Sequence, residues 1–287
     1  MYVEDIALKM EQKLYERYLL EEVYYVGHTS IVYLCKDMHT DKTVVVKEYC
    51  PHRLANRDMD GRSVICRNEC RNQYMQAYKA FQKEIEIVKK LKGLRKPYPN
   101  CVIQYVDSFM ENETLYLVTE LVEGKSLEEY INEGKNYSIR ACMLSLVRIV
   151  EQVHRMGILH RDIKPANIII QPDGRITLID FGSACYNGES ENQMQFVSRG
   201  FSAPELYNGE DSTRQTDIYS IGALLYYILT DFQLPPINEL EEGDIIPKIS
   251  EFREVPPKLE KAVMKAIETD RAKRAGSLTQ LKLILMT

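Results

Sequence analysis

No run in this sequence approaches the ~18 consecutive apolar residues that a membrane-spanning helix needs. Met1 to Leu20 is too rich in Glu, Lys and Arg for a secretory leader, so none is expected. No CxxC pair occurs. The cysteines, at 35, 50, 66, 70, 101, 142 and 185, are odd in number and scattered. No histidine lies near the closest pair, Cys66 and Cys70, to complete a zinc site. This pattern predicts reduced thiols in a cytoplasmic protein. Positive charge is not in excess either: the formal net charge is -5, which leaves no electrostatic footprint for nucleic acid. Basic runs such as Lys89-Lys90 read as the solvated face of a helix. Neither GxGxxG nor GxxxxGK followed by Ser or Thr is present, which disfavours a Rossmann or Walker nucleotide site. What is there is ordinary: 287 residues, 45% hydrophobic and 28% charged, enough for one large core or two modest ones.

The informative stretch is Ile158 to Gly182, ILHRDIKPANIIIQPDGRITLIDFG. Two polar clusters, His160 to Asn167 and Asp180-Phe181-Gly182, flank a hairpin. Ile168-Ile169-Ile170 and Arg175 to Ile179 read as strands. Gln171-Pro172-Asp173-Gly174 supplies the turn, because Pro presets φ and Gly accepts positive φ. Such a hairpin brings Asp162, Asn167 and Asp180 to one end of a small sheet. Two carboxylates and an amide there can orient a nucleophile and hold magnesium, which prefers hard oxygen ligands.

HRDIKPAN and DFG resemble the catalytic loop HRDxxxxN and the metal-binding motif DFG of protein kinases at every defining position. An isolated Asp-Phe-Gly is ordinarily a turn; both motifs in order around a hairpin point to the family. Other stretches extend the resemblance. In Thr43 to Tyr49, TVVVKEY, alternation puts Val45 and Lys47 on one face, and the strand resembles the VAIK strand. Tyr74, Ala77, Phe81, Glu84, Val88 and Leu91 form one helical stripe with a single acid in it. That helix resembles the family's αC, which makes Glu84 the partner of Lys47, with Glu86 the alternative. Val102 to Met110 and Thr114 to Thr119 read as strands, and Leu117 to Gly124 resembles the last small-lobe strand and the hinge. Ser126 reads as the N-cap of the next helix. Ser138 to Met156 reads as a core-facing helix ended by Gly157. Ala203-Pro204-Glu205 resembles the APE motif, Asp217 to Gly222 the DxWSxG segment, and Arg274 the closing arginine that pairs with Glu205.

Two stretches depart from the pattern. The family's three loop glycines fall on Tyr25, Gly27 and Ser30, so Gly27 alone survives. Glycines there let backbone N–H groups close over phosphates without a Cβ in the way. Their loss predicts a stiffer or more open loop and weaker nucleotide binding. Between Lys47 and Glu84 lies a long segment, CPHRLANRDMDGRSVICRNEC, with a turn signal at Asp60-Gly61. Its KEYxP…R opening resembles a bacterial branch of eukaryotic-like (Hanks-type) serine/threonine kinases. Ahead of Tyr18, the apolar positions Val3, Ile6, Ala7, Met10 and Leu14 predict an amphipathic helix packed on the small lobe or serving a dimer contact.

The resemblance implies an α+β, two-lobed protein-kinase fold: a small antiparallel β-sheet lobe with the αC helix, and a larger, mainly helical lobe. The expected divisions are an N-terminal helical extension at 1–17, a small lobe at 18–121 and a large lobe at 122–287. Relatives often have a membrane anchor or sensor region after the kinase domain; this sequence stops at Thr287, so either the protein lacks one or the sequence is part of a longer protein. The implied activity is phosphoryl transfer from ATP, with Mg²⁺ or Mn²⁺, to Ser or Thr of protein substrates. Autophosphorylation in a homodimer is a further implication. Asp162, Lys164, Lys47 and Glu84 are the implied catalytic group. Gly27, Val32, Val45, Lys47, Thr119 as gatekeeper, Glu120, Val122 and Ile169 would surround ATP, and Asn167 and Asp180 would hold the metal. Arg161 and the hydroxyls Ser190 and Ser198 are implied in control of the activation segment, with a structural bond to Asp162 as the alternative for Ser198. Glu205, Asp217 and Arg274 are implied framework residues, with helix N-capping the alternative for Asp217. Two other classes stay open: a pseudokinase, favoured by the eroded glycine loop, and a small-molecule kinase, disfavoured by the APE motif, Asp217 and Arg274.

Overall fold

The computed structural model describes residues 6–134, 137–189, 197–239 and 245–286. Two units share the chain. The first takes the residues up to Lys92 together with Ile103–Leu121; the second takes Gly93–Val102 and the chain from Val122 onward.

The first unit is an antiparallel sheet with one long helix. Its strands are β1 (Lys13–Leu14), β2 (Tyr18–Val26), β3 (Ser30–Asp37) and β4 (Lys42–Tyr49), then a separate hairpin of β5 (Ala55–Arg57) and β6 (Val64–Cys66). Helix α1 (Arg71–Leu91), β7 (Tyr105–Glu111) and β8 (Thr114–Glu120) complete it. The main sheet has six strands in the order β1-β2-β3-β4-β8-β7. Asn112 and Glu113, with φ of 52° and 56°, make the tight β7–β8 turn whose twist matches its strands. Helix α1 buries Tyr74, Ala77, Phe81, Val88 and Leu91, the stripe that its spacing predicts. Tyr49 joins it to the sheet, its ring 5.2 Å from Tyr74 and 5.6 Å from Phe81.

Strand β4 separates opposite charges by alternation. Val44, Val46 and Glu48 are buried on one face, while Val45 and Lys47 are half-buried on the other. Glu48 has no exposed surface and takes four donors. The Tyr33 hydroxyl donates at 2.8 Å and the Tyr116 hydroxyl at 2.6 Å. The Arg57 guanidinium donates two parallel bonds, at 2.7 and 2.8 Å. A buried carboxylate is tolerable only with such a complete set. Burial, then Glu48, push both phenols well above their ordinary pKa, so they serve as donors. Arg57 thereby pins the β5–β6 hairpin to the sheet, and its remaining N–H groups reach the Ile6 carbonyl at 2.6 and 3.1 Å.

That contact bears on the N-terminal expectation. No helix forms over residues 6–17; turns lead into the short strand β1. Glu11, Tyr15 and Glu16 sit at φ of 64°, 52° and 53°, outside helical geometry. The backbone pairs with the sheet instead: Glu11 N–H donates to Leu20 O, and Leu20 N–H to Gln12 O. Leu8, which the helical stripe left out, is buried, and its N–H donates to the Tyr33 hydroxyl at 3.0 Å. Sheet pairing of the backbone and burial of Leu8 and Leu14 prevail over helical periodicity. Val3 lies outside the described residues.

The expected uninterrupted small lobe is also corrected. Residues 93–102 belong with the second unit, where Tyr98 donates to the Ile176 carbonyl at 2.6 Å and Val102 bridges Leu178.

The second unit begins with β9 (Lys125–Ser126), α2 (Leu127–Asn132) and α3 (Ile139–Arg155). Short strands β10 (Ile158–Leu159), β11 (Ile168–Ile170), β12 (Ile176–Leu178) and β13 (Cys185–Tyr186) follow, then helices α4 (Pro204–Tyr207), α5 (Arg214–Thr230), α6 (Pro257–Ala266) and α7 (Thr279–Met286). Ser126 caps α2 as its position predicts, and Ser138 caps α3. Strands β11 and β12 form the expected hairpin, Ile168 opposite Leu178, with β9 on the other side of β11. Helix α5 is buried on nearly every side. It passes close to α6 at Gly222, where a Cβ would come within 2.6 Å of the Ala266 methyl carbon. Among the described residues no helix is long and apolar enough to cross a membrane.

Replacing Arg57 by Met strands the Glu48 charge, and we expect a stability loss of about 3–5 kcal/mol in urea unfolding. Adding Glu48→Gln to Arg57→Met should recover part of that loss, because a neutral amide leaves no buried charge. Equal stability of the two variants would count against this account.

Candidate active site

In the first unit, cross-strand pairing assembles one sheet face. Val32 lies opposite Lys47, and Val45 opposite Thr119. Directly opposed residues share a face, so Val32, Val45, Lys47 and Thr119 stand together. Lys47 Nζ lies 2.7 Å from Glu84 Oε1. Glu84 is the acid within the buried stripe of α1, whereas Glu86 is exposed. Gly27 lies in the β2–β3 turn, its N–H donating to Ser30 O at 2.8 Å. Glu120 spends its N–H on the Gln104 carbonyl at 3.0 Å. Val122 and Ile169 belong to the second unit, Ile169 at the centre of β11.

In the second unit, three side chains converge on Asp162. Asn167 Nδ2 donates to Asp162 Oδ2 at 2.9 Å and to its backbone carbonyl at 2.8 Å. Lys164 Nζ lies 2.8 Å from Asp162 Oδ2. The Ser198 hydroxyl donates to Asp162 Oδ1 at 2.6 Å and accepts from Lys164 Nζ at 3.0 Å. The structural alternative for Ser198 is thus the one with a visible bond. Asp180 has φ of 57°, and its Oδ1 accepts from Gly182 N–H at 3.3 Å. Phe181 is fully buried with its ring 4.7 Å from His160. His160 in turn bonds the Ile179 carbonyl at 3.1 Å.

Below this cluster, Asp217 on α5 is fully buried and accepts three N–H groups. His160 N donates to Oδ2 at 2.9 Å, Arg161 N to Oδ1 at 2.7 Å, and His154 Nε2 lies 2.7 Å from Oδ2. Burial pushes its pKa up, but His154 and the backbone donors outweigh that and hold the carboxyl below its usual range. N-capping of α5 falls to Thr213, not to Asp217. Arg161, at φ of 66°, is buried, and burial lowers its pKa. Ser190 lies outside the described residues.

Glu205 and Arg274 form a second buried pair, at 2.7 and 3.0 Å through both carboxylate oxygens. Thr216 donates to Glu205 Oε1 at 2.9 Å, and Arg274 also donates to the carbonyls of Glu268, Gln215 and Thr269. The guanidinium lies 5.0 Å from the Tyr219 ring centroid. Burial pushes Glu205 up, and the stronger pull of Arg274 holds it below its ordinary value.

Three participants escape motif reading: His154, Thr216 and the Glu48–Arg57 pair. His154 directly follows the apolar stripe of α3 at Val153, so a titratable ring on a buried face was the available signal.

A protein kinase domain model matches residues 18–283, and the chain belongs to that family. Among relatives, it is 31% identical over 201 residues to a probable serine/threonine-protein kinase PknB of Lactococcus lactis, covering 64% of this chain and 31% of that protein. It is 36% identical over 162 residues to a probable myosin light chain kinase of Dictyostelium discoideum, covering 54% of this chain and 40% of the relative. The chain therefore spans well under half the length of these relatives. A solved structure titled PpkA-294 apo form superposes with a TM-score of 0.81 at 23% identity, covering 98% of this chain and 100% of that one. The fold is the two-lobed α+β kinase fold.

Because folding depresses Glu205, its contribution is complete above the unfolded carboxylate value of about 4.3 and is lost as pH falls through the lower folded one. Glu205→Gln should thus destabilise the protein strongly at about pH 7 and much less at about pH 3. Urea unfolding at the two pH values checks this, and a gap independent of pH would contradict it.

Proposed function

We propose that this protein transfers the γ-phosphoryl group of ATP to Ser or Thr hydroxyls of protein substrates. The observation that supports this most directly is the convergence of Asn167, Lys164 and Ser198 on Asp162. Phosphoryl transfer runs through a loose transition state, so positioning and charge neutralisation dominate. Asp162 is the general base for the substrate hydroxyl. Its carboxylate oxygens each accept more than one bond, so those three contacts orient it and leave capacity for the incoming proton. Lys164 balances charge beside it. The Lys at this position is also the family feature that favours Ser/Thr over Tyr substrates. Lys47, oriented by Glu84, would hold the α- and β-phosphates.

The donor set suits Mg²⁺, with Mn²⁺ as a substitute. Asn167 commits its Nδ2 to Asp162, which leaves its hard carboxamide oxygen as a ligand beside the Asp180 carboxylate. Nucleotide phosphates would supply further oxygen ligands. When bound, the metal neutralises phosphate charge. Val32, Val45, Thr119, Glu120, Val122 and Ile169 are proposed for the nucleotide base. Arg161 is proposed to sense a phosphate on the activation segment, added by a second copy of the chain. Glu205, Asp217 and Arg274 are proposed as the framework.

Asp162→Asn should abolish transfer to a generic basic protein substrate, a loss of about 10²–10⁴ or more, with Mg·ADP binding nearly unchanged. Lys47→Met should weaken binding as well. Radiolabelled ATP with Mg²⁺ or Mn²⁺ measures both, and turnover like wild type in Asp162→Asn would refute the mechanism. A wild-type chain that binds nucleotide without turnover would instead favour a pseudokinase.

A further inference from the structure

Two departures from the family pattern meet in space. The β2–β3 turn with its flanking residues, 25–30, has lost most of the glycines expected there, and the segment after β4 is longer than in compact relatives. A Cβ at Gly27 would lie 3.1 Å from the Tyr25 ring and 3.3 Å from the Ser30 carbonyl oxygen. Outside the turn, the start of the inserted segment docks against it. Cys50 N–H donates to the Thr29 carbonyl at 3.0 Å. The imidazole of His52 stacks on that of His28, with ring centroids 6.4 Å apart and planes at 29°.

His52 is itself held from behind. Arg67 Nη2 donates to its carbonyl at 3.3 Å and to Asn56 Oδ1 at 2.8 Å. The Leu54 and Ala55 N–H groups close on the Pro51 carbonyl. The hairpin that follows is fixed to the sheet by the bidentate Arg57–Glu48 pair. A path of bonded groups therefore runs from a buried ion pair, through Pro51 and Cys50, to the turn, and the His52 ring adds its contact with His28.

We propose that the inserted segment braces the β2–β3 turn over the nucleotide phosphates, with His52 as the positioning residue that transmits the brace through His28. This rests on the kinase reading, in which that turn covers the phosphates. A glycine-rich loop reaches the phosphates because its backbone is unobstructed; this turn reaches them because it is held from outside. Pre-organisation of this kind raises affinity by lowering the ordering cost of binding. Burial, then His28, Arg53 and Arg67, hold the His52 imidazole below its ordinary pKa, against an opposing pull from the Gly27 backbone.

The test is equilibrium binding of fluorescent ADP with Mg²⁺ to the whole chain, which needs no turnover, for wild type, His52→Ala, His28→Ala and the double variant. Each single substitution should raise Kd about tenfold, and the double should match the singles, because the two rings act through each other. ATP turnover should show the same rise in KM with kcat within about twofold, since only uniform binding is lost. Thermal melting without nucleotide should not move. A His52→Ala variant that binds ADP like wild type overturns the brace. So do additive losses in the double variant, or a lowered melting temperature with unchanged Kd. Failure of the wild type to bind nucleotide overturns the kinase reading itself, and the two failures are therefore distinguishable.

Discussion

The loop that carries Asp162 depends on one carboxylate that never meets water. Asp217 stands in the first turn of α5, fully buried, and takes N–H groups from His160, Arg161 and His154. Two of these donors are consecutive backbone amides, so the carboxylate dictates peptide orientation. It holds Arg161 at φ of 66°, a conformation that an arginine does not favour by itself. The turn so produced sends Asp162 toward Asn167, Lys164 and Ser198. The placement of the proposed base is thus decided by a residue on the most buried helix of the unit, far along the sequence. His154 adds a third anchor from α3, which ties both helices to the same few atoms.

Contiguous motifs were legible because their residues act within a few positions of one another. HRDIKPAN and DFG flank a hairpin whose turn chemistry is local, and β11 and β12 form where that chemistry places them. The stripe on α1 was legible for the same reason: period fixes face, and a lone acid on a buried face needs a partner. What stayed hidden depended on pairings between distant segments. Periodicity over residues 6–14 looks helical, but the backbone there pairs with β2 and the Arg57 side chain, which local sequence does not reveal. Residues 93–102 follow α1 in sequence yet bond to β12, and nothing in their composition signals it. His154 was a single polar residue at the edge of an apolar stripe, and its partner lies 63 positions away.

The two buried ion pairs serve different ends. Glu205–Arg274 joins α4 to the segment before α7 and is reinforced by Thr216 and by backbone carbonyls, so that neither charge lacks partners. Glu48–Arg57 instead joins an inserted hairpin to an otherwise complete sheet. Neither pair is expected to add much stability over a well-packed apolar substitute. What each supplies is specificity of placement, since only one partner at one distance relieves the buried charge.

Placement of that kind has a consequence for how β4 finds its neighbours. Lys47 and Glu48 are adjacent and opposite in sign, and alternation sends them to opposite faces. A slip of β4 by one residue would exchange them. The ammonium would then enter a cage of two phenols and a guanidinium built for an anion, and a carboxylate would face another carboxylate at Glu84. Both faces would object at once. A hydrophobic alternation such as TVVV discriminates poorly between registers because its residues are alike. The neighbouring charges act as a parity check on the strand, so the arrangement that satisfies Arg57 is also the one that delivers Lys47 to Glu84.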